Sequence, residues 1–224
     1  MKNINLLSEF YVKKNFLELK SFLEKQNDFE AYRYLAKIYL KENDYLKSAY
    51  YFEKCKMLYE VGRCYLLAGK LEETRKIWKS IKNDNPATLW GQSLLQFIDL
   101  YVVDIPTFFQ IRCFLEVDLN DLIQAGQREY AENIMNGANL FARANSESYK
   151  FIGRVMVNNN YHEIAMYFLN QAKDICYVDP EVHFLIAKCY LNEQKKSSAI
   201  KSLETAIEKG YGYYPAKKLL AAIK

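Results

Sequence analysis

Alanine recurs at a constant interval in the second half of the chain. Two series of three alanines advance by the same step: Ala131, Ala165 and Ala199, and Ala138, Ala172 and Ala206. A constant period of this size indicates stacked structural repeats, since a unit of two helices and a turn has a length of roughly 34 residues. Each such unit buries its apolar face against its neighbours, so the ends of the array need capping elements. The sequence therefore predicts an all-α, right-handed α-solenoid of helix-turn-helix units with terminal capping helices.

Local patterns divide the chain into units of two helices. The last complete unit covers 180–213, and Pro180 opens it, where a missing N–H is harmless. Residues 146–179 repeat the pattern, whereas the preceding unit has a degenerate first helix. Residues 29–86 show the same succession of small and large apolar residues, but at a different spacing. An opening helix pair is predicted over 3–26.

Small and aromatic residues at fixed unit positions carry a family resemblance. Those of the two last units are Gly153, Ala165, Ala172, Ala187, Tyr190, Ala199 and Ala206. They resemble the consensus positions of tetratricopeptide repeats (TPR), most closely over 146–213. The resemblance implies one continuous solenoid whose first helices line a peptide-binding groove. We expect a TPR-like block over 1–86, apolar connecting helices over 87–117, and a TPR block with a capping helix over 118–224.

Charge and cysteine content exclude several classes. Residues 1–82 carry 17 basic against 11 acidic side chains, 83–142 carry 2 against 8, and 143–224 carry 12 against 8. No segment has the dense basic stripe of a nucleic-acid-binding protein. Five cysteines without a CxxC motif indicate free thiols in a reducing compartment. Since no signal sequence or membrane span is found, a cytoplasmic location is predicted.

Catalytic motifs are not found. The two histidines, His162 and His183, have no cysteine or histidine partner at metal-ligand spacing. Phosphate-binding, nucleotide-binding and hydrolase signatures do not occur. We therefore predict a non-enzymatic protein without a metal site or cofactor.

One unit position is basic in four units. Its residues are Lys37, Arg63, Arg154 and Lys188. A row of cations in a groove would hold an acidic segment or a C-terminal carboxylate through charge-assisted hydrogen bonds. The alternative is that these side chains are solvated and pair with acidic neighbours on their own helices. The other residues predicted to line the groove are Arg33, Tyr34, Lys41, Tyr59, Lys150, Asn158 and Asn192.

The segment 86–117 is apolar on nearly every helical face. Its largest side chains, all candidates for an apolar interface, are Trp90, Phe97, Tyr101, Phe108 and Phe109. One interpretation is a buried helix pair between two repeat blocks. A second is an exposed patch for homodimerisation or for a client helix, and a third is contact with a membrane surface without insertion.

The function predicted from these patterns is that of a protein-interaction scaffold or adaptor. Its partner would be a protein or peptide, acidic in character, and not a nucleic acid. Two alternatives stay open: a chaperone for a secreted or aggregation-prone client, and an accessory region that works with a separate enzyme such as a glycosyltransferase.

Overall fold

Helices account for the architecture. The computed structural model describes residues 16–82 and 85–224, and within them it contains fourteen helices and no strand. The chain divides into two compact units, of which the first ends at Gln92 and the second begins at Ser93. The all-α prediction is confirmed for the described residues. The opening helix pair predicted over 3–26 lies largely outside them, and the block boundaries at 86 and 117 stay predictions.

In the first unit, each of the first five helices packs against its neighbours in the chain. The helices are α1 (Phe16–Leu23), α2 (Phe29–Lys41), α3 (Tyr45–Lys54), α4 (Leu58–Leu67), α5 (Leu71–Ser80) and the first part of α6 (Pro86–Ile98). Asp28 and Asp44 cap α2 and α3, because their carboxylates accept the backbone N–H groups of Ala31 and Lys47.

Trp78 organises the core between α4 and α5. The indole is buried, and its Nε1 donates to the carbonyl of Tyr59 at 3.0 Å. A Cβ at Gly62 would collide with the ring, and one at Gly91 would lie 3.0 Å from it. The width of the indole therefore requires glycine at position 62 and leaves little room for a side chain at position 91.

The second unit contains the periodic alanines. After the remainder of α6 come α7 (Phe108–Gln110, π-helical Ile111–Leu115 and Glu116–Gln124 in succession), α8 (Arg128–Asn136), α9 (Ala138–Ala144), α10 (Ser148–Asn158), α11 (His162–Ile175), α12 (Pro180–Asn192), α13 (Lys196–Lys209) and α14 (Tyr214–Ile223). The pairs α10–α11 and α12–α13 are helical hairpins, and α10 also packs against α7 and α12. All six periodic alanines are buried, so the period marks the close contacts between helices.

The earliest unit of this array departs from the pattern at Gly137. This residue separates α8 from α9, and a Cβ there would collide with the ring of Phe97. Phe97 in turn stacks on Phe141 with 4.2 Å between the ring centroids. The Phe97 ring thus leaves no room for a side chain at position 137.

Candidate binding groove

Ion pairs join the first helices of neighbouring repeats. On α10, Lys150 Nζ lies 2.6 Å from a Glu147 oxygen and 2.7 Å from an Asp179 oxygen. Arg154 reaches both neighbours of α10, with 2.7 Å to Glu116 of α7 and 2.8 Å to Glu181 of α12. These two cations therefore hold α7, α10 and α12 together.

The protonation equilibria reflect this arrangement. The hydrogen bond from Lys150 lowers the pKa of Glu147 below its ordinary value, although partial burial opposes the shift. Burial disfavours the charged form of Lys150, but its hydrogen bonds to Asp179 and Glu147 raise the pKa of Lys150 overall. The two cations of the network are thus already matched by carboxylates.

The same positions have changed one repeat later. Lys150 and Arg154 are followed one period on by Phe184 and Lys188. Their acidic partners Asp179 and Glu181 are followed by Tyr213 and Pro215. Both carboxylates have disappeared, and one of the two cations has become an aromatic ring.

The structure shows the consequence of these replacements. The Phe184 and Tyr213 rings meet edge to face, with 5.8 Å between their centroids, where the previous repeat has an ion pair. Burial is the largest cause that raises the pKa of Tyr213, and the Glu181 carboxylate adds to it, so its hydroxyl stays neutral. The junction between α12 and α14 therefore lacks the ionic bridges of the earlier junctions.

An open groove of about 700 Å³ lies along this junction. Its apolar lining comes from Phe184 and Leu191 of α12 and from Leu219 and Ala222 of α14. The polar and remaining lining residues are Lys188, Asn192, Lys218, His162 and Pro215. We call this site the α12/α14 groove.

Two ammonium groups flank the apolar lining. Neither Lys188 nor Lys218 forms an ion pair with any part of the chain that the structure describes, and no Asp or Glu lines the groove. His162 Nδ1 is enclosed and has no hydrogen-bond partner among the described residues. A ligand that carries carboxylates and apolar side chains complements this lining.

The other residues predicted for the groove lie in different settings. In the first unit, Arg33 pairs with Glu30 at 2.6 Å, and Tyr59 stacks on Trp78 with 5.6 Å between ring centroids. Lys37 is exposed and forms no ion pair within residues 16–82 or 85–224. The others range from half-buried to exposed: Tyr34, Lys41, Arg63 and Asn158. Of the predicted set, the α12/α14 groove brings together Lys188 and Asn192 only.

The predicted apolar interface divides at the end of α6. Trp90 and Phe97 are fully buried within their own units, so neither side chain contributes to an exposed apolar patch. Tyr101 and Phe109 are each 73% exposed and Phe108 is 45% exposed. The hypothesis of an exposed apolar interface therefore now concerns only Tyr101, Phe108 and Phe109.

The exposed apolar residues extend from an ordered loop between α6 and α7. The Gln96 carboxamide accepts the backbone N–H groups of Val103 and Asp104 at 2.8 and 3.2 Å. At the far end, Thr107 and Gln110 form a reciprocal capping box at the start of α7. Side-chain hydrogen bonds therefore hold the middle of this loop and its far end.

Sequence reasoning missed most of the groove lining. The missed residues are His162, Phe184, Leu191, Pro215, Lys218, Leu219 and Ala222. An alignment of successive repeats could have found this groove, because the carboxylates of Asp179 and Glu181 are replaced one period later by Tyr213 and Pro215.

Searches for metal-binding groups and membrane spans give negative results within the described ranges. No group of three or more His, Cys, Asp or Glu there is arranged to hold a metal ion. None of the fourteen helices combines the length and apolarity needed to cross a membrane.

Comparisons with known proteins return solved structures only. No protein-family model and no curated protein matches the chain. YrrB, described as a TPR protein with an unusual peptide-binding site, is 12% identical over 89% of this chain and 95% of its own, with a TM-score of 0.41. The Cut9–Hcn1 hetero-tetramer of the APC/C is 14% identical over 96% of this chain and 40% of its own, with a TM-score of 0.40. The TPR domain of P58(IPK) is 15% identical over 96% of this chain and 62% of its own, with a TM-score of 0.39.

Proposed function

We propose that this chain is a non-enzymatic protein-interaction module, and that the α12/α14 groove binds an acidic peptide segment with apolar side chains. The observation that carries the proposal is the pair of unmatched cations, Lys188 and Lys218, beside an apolar groove. At the preceding junctions the same scaffold supplies its own carboxylates. At this junction the partner would supply them.

The dimensions and chemistry of the groove favour a peptide. A volume of about 700 Å³ accommodates several side chains. Apolar residues at Phe184, Leu191 and Leu219 offer burial worth roughly 25 cal/mol per Å² removed from water. Exposed ion pairs add roughly 0.2–1 kcal/mol each and favour the acidic ligand over a basic one.

Peptide display provides an unbiased test. A random 12-residue library is selected on the full chain, on a K188E/K218E variant and on a K217E control. Lys217 neighbours Lys218 on α14 but does not line the groove. We expect enriched sequences that combine Asp or Glu with Leu, Ile or Phe on the parent and on K217E, and their loss on K188E/K218E. Enrichment without acidic residues, or enrichment retained on K188E/K218E, would refute the proposal.

Affinity measurements make the test quantitative. One enriched peptide, labelled with fluorescein, is titrated with each variant in anisotropy experiments at low and high salt. Reversal of both charges should weaken binding by about 30-fold, which corresponds to roughly 2 kcal/mol. A peptide with Lys in place of its acids should recover affinity for K188E/K218E. Equal weakening by K217E would show that net charge, rather than the groove, determines binding.

The ordered apolar loop favours a second candidate, a chaperone that holds an apolar client segment. Leu100, Tyr101 and Val103 are each more than 60% exposed, and the backbone N–H of Val103 donates to the Gln96 side chain. The chain should then suppress aggregation of reduced, unfolding α-lactalbumin, followed by light scattering. A Y101S/V103S variant should lose this effect; full activity in that variant would exclude the loop. The cytoplasmic location and the accessory role beside an enzyme stay predictions.

A further inference from the structure

A second groove lies on the opposite face of α12. His183, Ile186 and Tyr190 form its base, at a spacing that places them on one side of the helix. Its walls come from the second helices of the two repeats, α11 and α13, and its volume is about 390 Å³. No residue of the α12/α14 groove lines it. We call it the α11/α13 groove.

Hydrogen-bond donors line two walls of the α11/α13 groove. Ser198, Lys201, Ser202 and Thr205 follow one another at helical spacing along α13 and all line the groove. Lys173 faces them from α11, and its Nζ donates one hydrogen bond to Asn170 at 3.1 Å. Since an ammonium group has three donors, Lys173 retains two for a ligand.

The lining has no internal anion to satisfy these donors. It contains two lysines and no Asp or Glu. Lys201 forms no ion pair with the described residues, and the hydroxyls of Ser198 and Ser202 make no hydrogen bond to them. Two cations and two free hydroxyls on facing helices form a site for an oxyanion.

Aromatic side chains shape the rest of the groove. His183 is buried, and its Nε2 lies 2.7 Å from the Tyr177 carbonyl. Because a carbonyl only accepts, Nε2 carries the hydrogen and donates it. The Tyr177 ring meets the His183 ring edge to face at 4.9 Å, and the Lys209 ammonium lies 5.4 Å from its centroid. The Tyr177 ring is therefore positioned by contacts with both His183 and Lys209 in the absence of a ligand.

We infer that the α11/α13 groove binds a phosphorylated small molecule. Lys173, Lys201 and the serine hydroxyls hold the phosphate, and the remainder of the ligand lies against Tyr177 and Tyr190. The groove volume of about 390 Å³ lies within the range of small-molecule sites and leaves space beyond a phosphate group. This ligand is distinct from the peptide proposed for the α12/α14 groove.

Calorimetric titration with defined compounds tests the inference. The probes are glucose 6-phosphate, glucose, inorganic phosphate and a phosphoserine peptide, each titrated into the full chain. We expect saturable binding of glucose 6-phosphate, weaker binding of inorganic phosphate and none of glucose. Absence of saturation by glucose 6-phosphate up to ~10 mM would overturn the inference. So would binding of the phosphoserine peptide alone.

Variants assign the binding to this groove. K173M/K201M should weaken glucose 6-phosphate binding by more than about tenfold through loss of both cations. K196M is the matched control, because Lys196 lies on α13 but outside the lining. Circular dichroism verifies that each variant is folded. Unchanged binding by K173M/K201M, or equal weakening by K196M, would overturn the assignment. K188E/K218E should retain binding, so this inference and the peptide proposal can fail independently.

Discussion

Removal of the Lys150 ammonium group tests whether the ion-pair network stabilises the second unit. Lys150→Met keeps an unbranched chain of similar length and deletes the charge. Glu147 loses the Lys150 hydrogen bond that most lowers its pKa, but it keeps an ion pair with Arg112 at 2.6 Å. Asp179 loses its only ion pair among the described residues, at 2.7 Å, but still accepts the backbone N–H of Glu181.

The expected cost follows from the burial of these groups. The Lys150 side chain is 9% exposed and that of Asp179 is 19% exposed. Breaking a fully buried pair costs about 3–5 kcal/mol, and partial solvation of the stranded carboxylate reduces this figure. We expect a loss of about 2–3 kcal/mol in the free energy of unfolding. For a chain of this length that corresponds to a fall of roughly 5–10 °C in Tm.

The assay combines thermal circular dichroism with hydrogen exchange of the α10 and α12 amides. Exchange should accelerate in those helices, and Lys196→Met, which removes an exposed lysine of α13, should leave Tm and exchange unchanged. A Tm within about 1 °C of the parent would refute the reasoning.

Acid titration gives a second readout of the same substitution. The folded pKa of Glu147 lies below its ordinary value of 4.5, so its stabilisation is present above that pH. The stabilisation is lost as the pH falls through the folded pKa. Lys150→Met should therefore flatten the acid limb of the stability curve. An unchanged acid limb would show that Lys150 does not cause the shift.

Three further predictions concern residues outside the network. Gly62→Ala should displace the Trp78 ring and cost about 1–3 kcal/mol by urea titration of tryptophan fluorescence, whereas Gly91→Ala, with its looser contact, should cost less. Burial and, next, the Glu24 hydrogen bond raise the pKa of Tyr39 to about 12. The stability that Tyr39 contributes should therefore be lost as the pH rises from 10 to 12. Ultraviolet titration should show a lower Tyr39 pKa in Glu24→Gln. Two thiols should react rapidly with a disulfide reagent at neutral pH and three slowly, since burial raises the pKa of each slow one. The rapid ones are those of Cys113 and Cys176, and the slow ones those of Cys55, Cys64 and Cys189.

The repeat architecture was predictable because its signals are local or periodic. The alanines advance by one constant step, and each lies at a close helix contact. Pro180 predicted a helix start, and α12 does begin there, with the Asp179 carboxylate as its cap. Such signals depend on backbone geometry that any unit of this kind must satisfy.

The candidate site was less predictable because it depends on pairing between repeats. Arg154 finds its carboxylates 38 and 27 residues away, on two other helices. The sequence therefore shows that a repeat position is basic, but it does not show whether that side chain is solvated, paired within the protein or available to a ligand. That depends on the residue opposite it on a neighbouring helix. Lys188 is distinguished from Arg154 by Lys150 and Pro215, which stand one period after the two Arg154 partners Glu116 and Glu181. The conformation of the exposed loop could not be predicted for a similar reason. It depends on hydrogen bonds from residues seven and eight positions after Gln96 to the Gln96 side chain.

The α12/α14 and α11/α13 grooves are lined by opposite faces of helix α12, so ligands in the two grooves would contact the same helix. A ligand that immobilises α12 from one side reduces the entropy left to lose when the other side is occupied. Linkage then requires that each ligand change the affinity of the other by the same factor. If inorganic phosphate binds the α11/α13 groove as proposed, a peptide affinity measured in phosphate buffer would include the effect of that second ligand.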